Sequence, residues 1–455
     1  MRNRIVAQAS LFDQAINQLV SVIEPEKELK GMDKLLDENP EILDCVHADL
    51  VSQKNKTGCK GISAERVLRC AILKQYKQYP YRELVKRLND SFFFRWFSRF
   101  HSDRIPHYTT LQKAIKQIGF ETWDKINEIL VQVSIARKIE TGHAIRVDTT
   151  VTESNIAYPV DARLLNDSIR VLTRLMQESV DTVPDLEFSF SNRTRRAKKR
   201  CYQIVMAKGS KAKRQREKCY RDLLKVANEV FQTATVCFNK LSGSPHFEAE
   251  YFYGELDHFL THTAVAIEQC ERRALRGEKV PASEKIVSIF EEHTDIIKRG
   301  KSQCPTEFGH KILVASGKSG IITQYECFRK GNPSDVDMVT GILETHKKQF
   351  GKAPWALAGD RRFFSAANEN DAYDFGVKRV SICKPGYRSK KRKEIEKERW
   401  FKRLQRYRAG IEGLISGLMR KYGLKRCNWN GWESFQGYIS LNIMTFNIQK
   451  LACLL

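Results

Sequence analysis

The chain has 455 residues, with 78 Lys and Arg against 54 Asp and Glu for a formal net charge of +24, and 42% of it is hydrophobic. That is room for about three domains with buried cores, which excludes a disordered chain, a collagen-like repeat and a small disulfide scaffold. No apolar run approaches the roughly 20 residues that cross a bilayer. Gln8, Ser10, Asp13 and Gln14 interrupt the stretch after Met1-Arg2-Asn3-Arg4 that a signal peptide would keep apolar, so a cytoplasmic protein is expected.

The 12 cysteines stand singly, without the C-x-x-C spacing of a zinc or redox site. They read as the buried thiols of a reducing compartment. The surplus of positive charge points to a polyanionic partner, and without a membrane signal the partner expected is nucleic acid, with a merely basic soluble enzyme as the alternative.

From Leu11 to about Gly142 the apolar spacing is helical. Ile62, Val67, Leu68, Ala71 and Ile72 share one face, Tyr79-Pro80 breaks the run, and Leu84, Val85 and Leu88 resume it. Ser63 is the expected N-cap of the first of these helices, and Thr109 or Thr110 that of a later one carrying Leu111, Ala114 and Ile115. Arg66, Arg69, Lys74, Lys77, Arg82, Lys86 and Arg87 fall outside the apolar face, a pattern compatible with a helix-turn-helix. The cluster Phe92 to Phe97 reads as core rather than as a base-stacking platform.

After Gly142 comes a strand, His143 to Asp148, that ends in a carboxylate. Helical spacing returns from about 162 to 295, interrupted by a basic run. Between Asn192 and Arg221 there are 13 Lys and Arg and one acid, Glu217. Its first part, Arg193, Arg195, Arg196, Lys198, Lys199 and Arg200, is a candidate phosphate-contacting arm. Next, Lys311 to Ser316 and Ile321 to Phe328 form a hairpin through Gly317 to Gly320. A helix from Asp335 to Phe350 with Ser334 as N-cap follows, then a strand from Trp355 to Asp360, a helix from Ser365 to Phe375 and a strand from Val377 to Ile382. A long helical stretch from Lys390 to Tyr422 closes this order. Its first part, from Arg388 to Arg408, has 11 Lys and Arg and three Glu. Lys390, Lys391 and Arg392 in it are further candidates for DNA contact, and Trp400 reads as a packing residue. With the insertion removed, three strands, helix, strand, helix, strand, helix is the order of an α/β ribonuclease H-like fold. Residues 1–141 make an all-α N-terminal DNA-binding domain and 142–455 the α/β domain that the basic insertion interrupts.

Three acids fall where that order converges. Asp148 and Asp360 end strands, whose C-terminal ends face the crevice of an α/β sheet. Glu412 lies on the last helix, four residues after Arg408. Carboxylates sharing one site raise one another's pKa and call for a cation, and an all-oxygen set suits Mg²⁺ or Mn²⁺. Two such ions serve displacement at phosphorus.

The blocks Val147-Asp148-Thr149-Thr150-Val151, Gly331-Asn332-Pro333-Ser334-Asp335, Gly359-Asp360-Arg361 and Arg408-Ala409-Gly410-Ile411-Glu412-Gly413 recur in order. With Pro80 to Leu84 and Pro106 to Leu111, they resemble the DDE transposases of bacterial insertion sequences, the ISNCY type in particular. The resemblance implies Asp148, Asp360 and Glu412 as catalytic and metal-holding residues, while Arg408, on the same helix face as Glu412, is a candidate to contact the scissile-region DNA phosphate or to orient Glu412, with a helix salt bridge as the alternative. It also implies metal-dependent strand cleavage and transfer at terminal inverted repeats and a homo-oligomer on paired ends, at the nucleoid of a bacterial cell. Asp360-Arg361-Arg362 stands where relatives read Asp-Arg-Gly, and Gln405 and Met419 stand where some carry Tyr and Lys. A degenerate, non-cleaving DNA-binding relative of a transposase is the alternative, and a structure-specific nuclease on the same fold a third reading.

Overall fold

A computed structural model describes residues 3–5, 27–52, 61–184, 186–207, 209, 212–298 and 306–455. The expected helical start at Leu11, and Lys208 and Lys211 of the basic run, lie outside these residues. The chain divides into two compact units, residues 1–154 with 310–455, and residues 155–309.

The first unit begins all-helical, with α1 (Lys27–Glu38), α2 (Pro40–Ser52), α3 (Ala64–Tyr76), α4 (Tyr81–Asp90), α5 (Phe92–Phe97), α6 (Tyr108–Lys116) and α7 (Phe120–Ala136). Ser63 caps α3, its hydroxyl accepting from the Arg66 N–H at 3.4 Å. The cap expected at Thr109 or Thr110 is instead His107. Its carbonyl already accepts from the N–H of Thr110 and Leu111, and the Thr109 hydroxyl is engaged with its ring. Two basic residues expected outside the apolar face are buried, Arg69 at 2% exposure and Lys74 at 6%. For Arg69 the reason is an acid set partly from another helix: its guanidinium reaches Asp33 and Asp37 of α1 and Glu65 of α3. Of the aromatic cluster only Phe97 is fully buried, while Phe92 is exposed.

Strand β1 (Ala144–Glu153) follows a turn at Gly142, where φ is +64° and a Cβ would lie 2.6 Å from the Phe350 ring, so both backbone and space require glycine.

The second unit has its own core around Leu165, Leu172, Leu223, Ala227 and Leu256. Four helices supply it, α8 (Asp161–Thr182), α9 (Thr194–Met206), α10 (Lys213–Ser242) and α11 (Phe247–Cys270). A short strand unforeseen in the sequence, β2 (Asp295–Lys298), pairs antiparallel with the opening residues of β3 (Thr306–Ser316).

The rest of β3 belongs to the first unit and forms the expected antiparallel hairpin with β4 (Ile322–Cys327). A 3-10 turn leads into α12 (Val339–Phe350), and Ser334 caps that turn. Then come β5 (Ala356–Gly359), α13 (Ala366–Asp374) capped by Ser365, and β6 (Arg379–Ile382). The basic stretch expected as one helix is two, α14 (Lys390–Lys397) and α15 (Arg399–Lys421), parted at the extended residue Glu398. A final helix, α16 (Trp432–Leu454), packs with α1, α3 and α7 in one core. Its Asn447 bonds both the N–H and the carbonyl of Ile322, satisfying the edge of β4.

The strands lie in the order β4-β3-β1-β5-β6, with β1, β5 and β6 parallel. One face of the sheet buries Ile145, Val147, Leu357 and Val380 against Val339 and Ile342. The other presents Ala144, Ala356 and Ala358 to Trp400, Leu404 and Tyr407 of α15. Small side chains on that face let the helix lie close to the strands.

Candidate active site

Strand alternation and register bring the two aspartates together. On β1, Ile145 and Val147 point into one core, so Ala144, Arg146 and Asp148 point to the α15 face. Ala144 pairs with Ala356, Arg146 with Ala358 and Val147 with Gly359, so the next step sets Asp148 beside Asp360. Gly410 tucks α15 against the same face, because a Cβ there would run into the Arg146 guanidinium. Arg146 is itself held by the Ser316 hydroxyl at 2.8 Å and the Tyr407 carbonyl at 3.1 Å. This docking carries Arg408 and Glu412, one turn apart, to the strand ends.

The three acids meet around one cation. Arg408 Nη1 lies 2.8 Å from Glu412, 3.8 Å from Asp148 and 4.0 Å from Asp360. Asp148 accepts from the Thr149 N–H at 2.8 Å. Its carboxyl is nonetheless pushed up to about 6, chiefly by burial and further by the charges of Asp360 and Glu412, against the pull of Thr149 and Arg408. A fourth acid, Asp335, sits beside the cluster, receiving Lys311 at 2.9 Å and the Thr149 hydroxyl at 3.3 Å. Asp335 is not among the acids expected at the site, although the Gly331 to Asp335 block marks its position.

The basic candidates divide by environment. Arg195, Lys198 and Lys199 on α9 are exposed, as are Arg193 just before it and Lys390 and Lys391 at the start of α14. Arg196 and Arg200 both bind Asp222 of α10, and Arg193 lies 3.8 Å from Glu229. Arg392 needs correction as a DNA contact. It is 8% exposed, and its guanidinium is spent on Glu369, Glu396 and the Ile382 carbonyl. Trp400 packs as expected, with Arg379 stacked 4.5 Å over its ring. In the second unit His258, His262 and Glu292 bring ligand atoms within 4.8 Å of one another, a His-x3-His pair that a search for cysteine spacing overlooks. Among the described residues no helix is long and apolar enough to cross a membrane.

Residues 18–117 match the family described as Transposase domain (DUF772), and residues 288–448 match the Transposase DDE domain. The chain belongs to the DDE transposases of insertion sequences. For a transposase of this family a ribonuclease H-like fold and a divalent metal are the rule, and the mixed sheet behind an all-helical N-terminal region agrees with that fold. The DDE match contains Asp360 and Glu412 but begins after Asp148, which the second unit separates from the other two acids in sequence. No curated protein and no solved structure matches the chain.

Proposed function

We propose that this protein is the active transposase of its insertion sequence, binding the terminal inverted repeats as an oligomer on paired ends and catalysing strand cleavage and strand transfer. The observation that carries this reading is the meeting of Asp148, Asp360 and Glu412 around a single guanidinium at the ends of β1 and β5.

The donor set fits a hard divalent cation. Three carboxylates face one arginine, leaving a surplus of negative charge, and every donor is oxygen. Asp148, Asp360 and Glu412 would hold Mg²⁺ or Mn²⁺, which when bound supplies activation of the attacking oxygen and stabilisation of the leaving one. Asp148 and Asp360 are fixed by paired strands and so set the position of the scissile phosphate. Glu412, on a helix and more exposed, closes the site from the other side. Arg408 balances the acids until DNA arrives and then offers the same guanidinium to a phosphate oxygen. In cleavage, water attacks phosphorus and the bond to the 3′-oxygen breaks, leaving a 3′-hydroxyl. In transfer, that hydroxyl attacks a target phosphodiester and one P–O bond again replaces another, so no covalent protein intermediate is needed.

The test is incubation of the purified protein with its terminal-repeat DNA and Mg²⁺. A free 3′-hydroxyl at the element boundary and joined product are expected. Asp148→Ala, Asp360→Ala and Glu412→Ala should each abolish both products while retaining DNA binding. Cleavage surviving in all three variants would overturn the assignment, and wild-type binding without cleavage would favour the degenerate relative.

A further inference from the structure

Among the described residues no carboxylate pairs with Lys74, and the group that acts on its charge is the buried Cys427 thiol. It lies on α3, is 6% exposed, and its ammonium sits 4.9 Å over the ring of Tyr81. Burying an ammonium without a counter-ion is costly, and here burial lowers its pKa to about 8. Arg69, five residues earlier on the same helix, shows the usual solution, with three acids around it.

Lys74 lines a cavity of about 280 Å³ at the turn between α3 and α4, closed on the far side by the segment from Gly423 to Tyr438. Among the described residues no carboxylate lines this cavity; its polar lining includes Gln112, Asn428 and a second lysine, Lys116 at the rim. Two further donors belong to lining residues. Tyr81 Oη and Trp429 Nε1 are buried and have no hydrogen-bond partner among the described residues. The N-terminus of α4 begins at the same place, with Pro80 in the cap position and no side chain capping it. Its first-turn N–H groups and the positive end of its dipole add to the field of Lys74. A buried cation, orphaned donors and an uncapped helix start surround one acid-free cavity, and what they lack in common is an anion.

We propose that this cavity is an anion site that takes a phosphate group of the DNA backbone at the turn between α3 and α4. That the phosphate belongs to DNA rests on the transposase reading; the anion site itself does not. Docked there, a phosphate would give Lys74 its counter-ion and fix the N-terminal helices on the duplex.

The test compares wild type with Lys74→Met in the full-length protein by two readouts. One is the thermal shift on adding inorganic phosphate, and the other is the salt dependence of binding to terminal-repeat duplex. Lys74→Met should raise the melting temperature without ligand, because it removes an uncompensated buried charge. It should abolish the phosphate-induced shift and weaken duplex binding, lowering the log-log salt slope by about 0.9, the value for one phosphate no longer neutralised. An unchanged phosphate shift in the variant would overturn the anion site. A vanished shift with unchanged duplex affinity and slope would overturn DNA as the source of the phosphate. Should Lys74→Met fail to fold, Lys116→Gln at the exposed rim carries the same slope test. Both readouts are taken without Mg²⁺ and need no cleavage, so failure of the anion site is separable from failure of the cleavage chemistry.

Discussion

Arg392 and Arg408 stand in the same basic run, and what each does is set by acids that other elements bring to it. Arg408 meets Asp148 and Asp360 from two strands and Glu412 from its own helix. Arg392 meets Glu369 from α13 and Glu396 from its own turn, and its guanidinium lies 5.0 Å over Phe364. Removing Arg392 would strand the Glu369 carboxylate and the Ile382 carbonyl, while Glu396 keeps Arg388 and the Lys384 N–H, so Arg392→Met should cost about 3 kcal/mol of stability. The neighbouring exposed Lys393 supplies the control, since Lys393→Met should stay within about 0.5 kcal/mol of wild type. Denaturant unfolding of both variants checks this, and equal effects would refute a structural role for Arg392. A run of lysines and arginines reads as a solvated face because charge alone does not reveal a partner that arrives from another helix.

At the scale of elements, β1 carries Asp148 and is held at its entry by α12. His346 is buried, stacks on Phe350 and bonds the Gly142 carbonyl at 3.0 Å. Burial lowers its pKa from 6.5 to about 4, against the pull of that carbonyl. Well above pH 6.5 the ring is neutral in both folded and unfolded chains and contributes nothing to the pH dependence. As pH falls toward 4 the unfolded chain takes up a proton that the fold resists, so stability drops by up to about 3 kcal/mol. His346→Gln keeps a donor for Gly142 and cannot titrate there. Urea unfolding at pH 7.5 and 4.5 should therefore show a smaller acid loss in the variant, and parallel losses would count against His346. The elements that frame the site were legible because each carries a local signal: β-formers ending in an acid for β1 and β5, a glycine turn for the β3-β4 hairpin, and serine caps at Ser63 before α3 and at Ser334 before the turn into α12. The rest depends on residues distant in sequence. The helix α16 is buried on most sides, which removes the two-sided pattern that betrays a surface helix, and Asn442 and Asn447 interrupt its apolar character with bonds to Gln75 and Ile322. The break at Glu398 and the four-residue strand β2 are likewise too short or too polar for periodicity to mark.

For the whole molecule, the +24 charge is not one surface. Part of it is neutralised inside the fold at Arg69 and Arg392, part is paired at Arg196 and Arg200, and part is exposed on α9 and α14. Only the exposed and unpaired part is free to exchange counter-ions for DNA phosphates, so the salt dependence of binding should follow side-chain environment rather than the count of lysines and arginines. The second unit offers the cleanest comparison, because α9 carries both kinds within one turn or two. Replacing Arg195, Lys198 and Lys199 together by Gln should lower the log-log salt slope on duplex DNA by about 0.9 for each phosphate no longer neutralised, with little change in stability. Replacing Arg196 and Arg200 by Gln should strand Asp222 and lower the melting temperature, with a smaller change in slope. Salt titrations of duplex binding beside thermal unfolding separate the two classes. A slope that falls equally in both sets would mean that pairing with Asp222 leaves the arginines free to bind DNA, and that charge count, not environment, governs how this transposase grips its substrate.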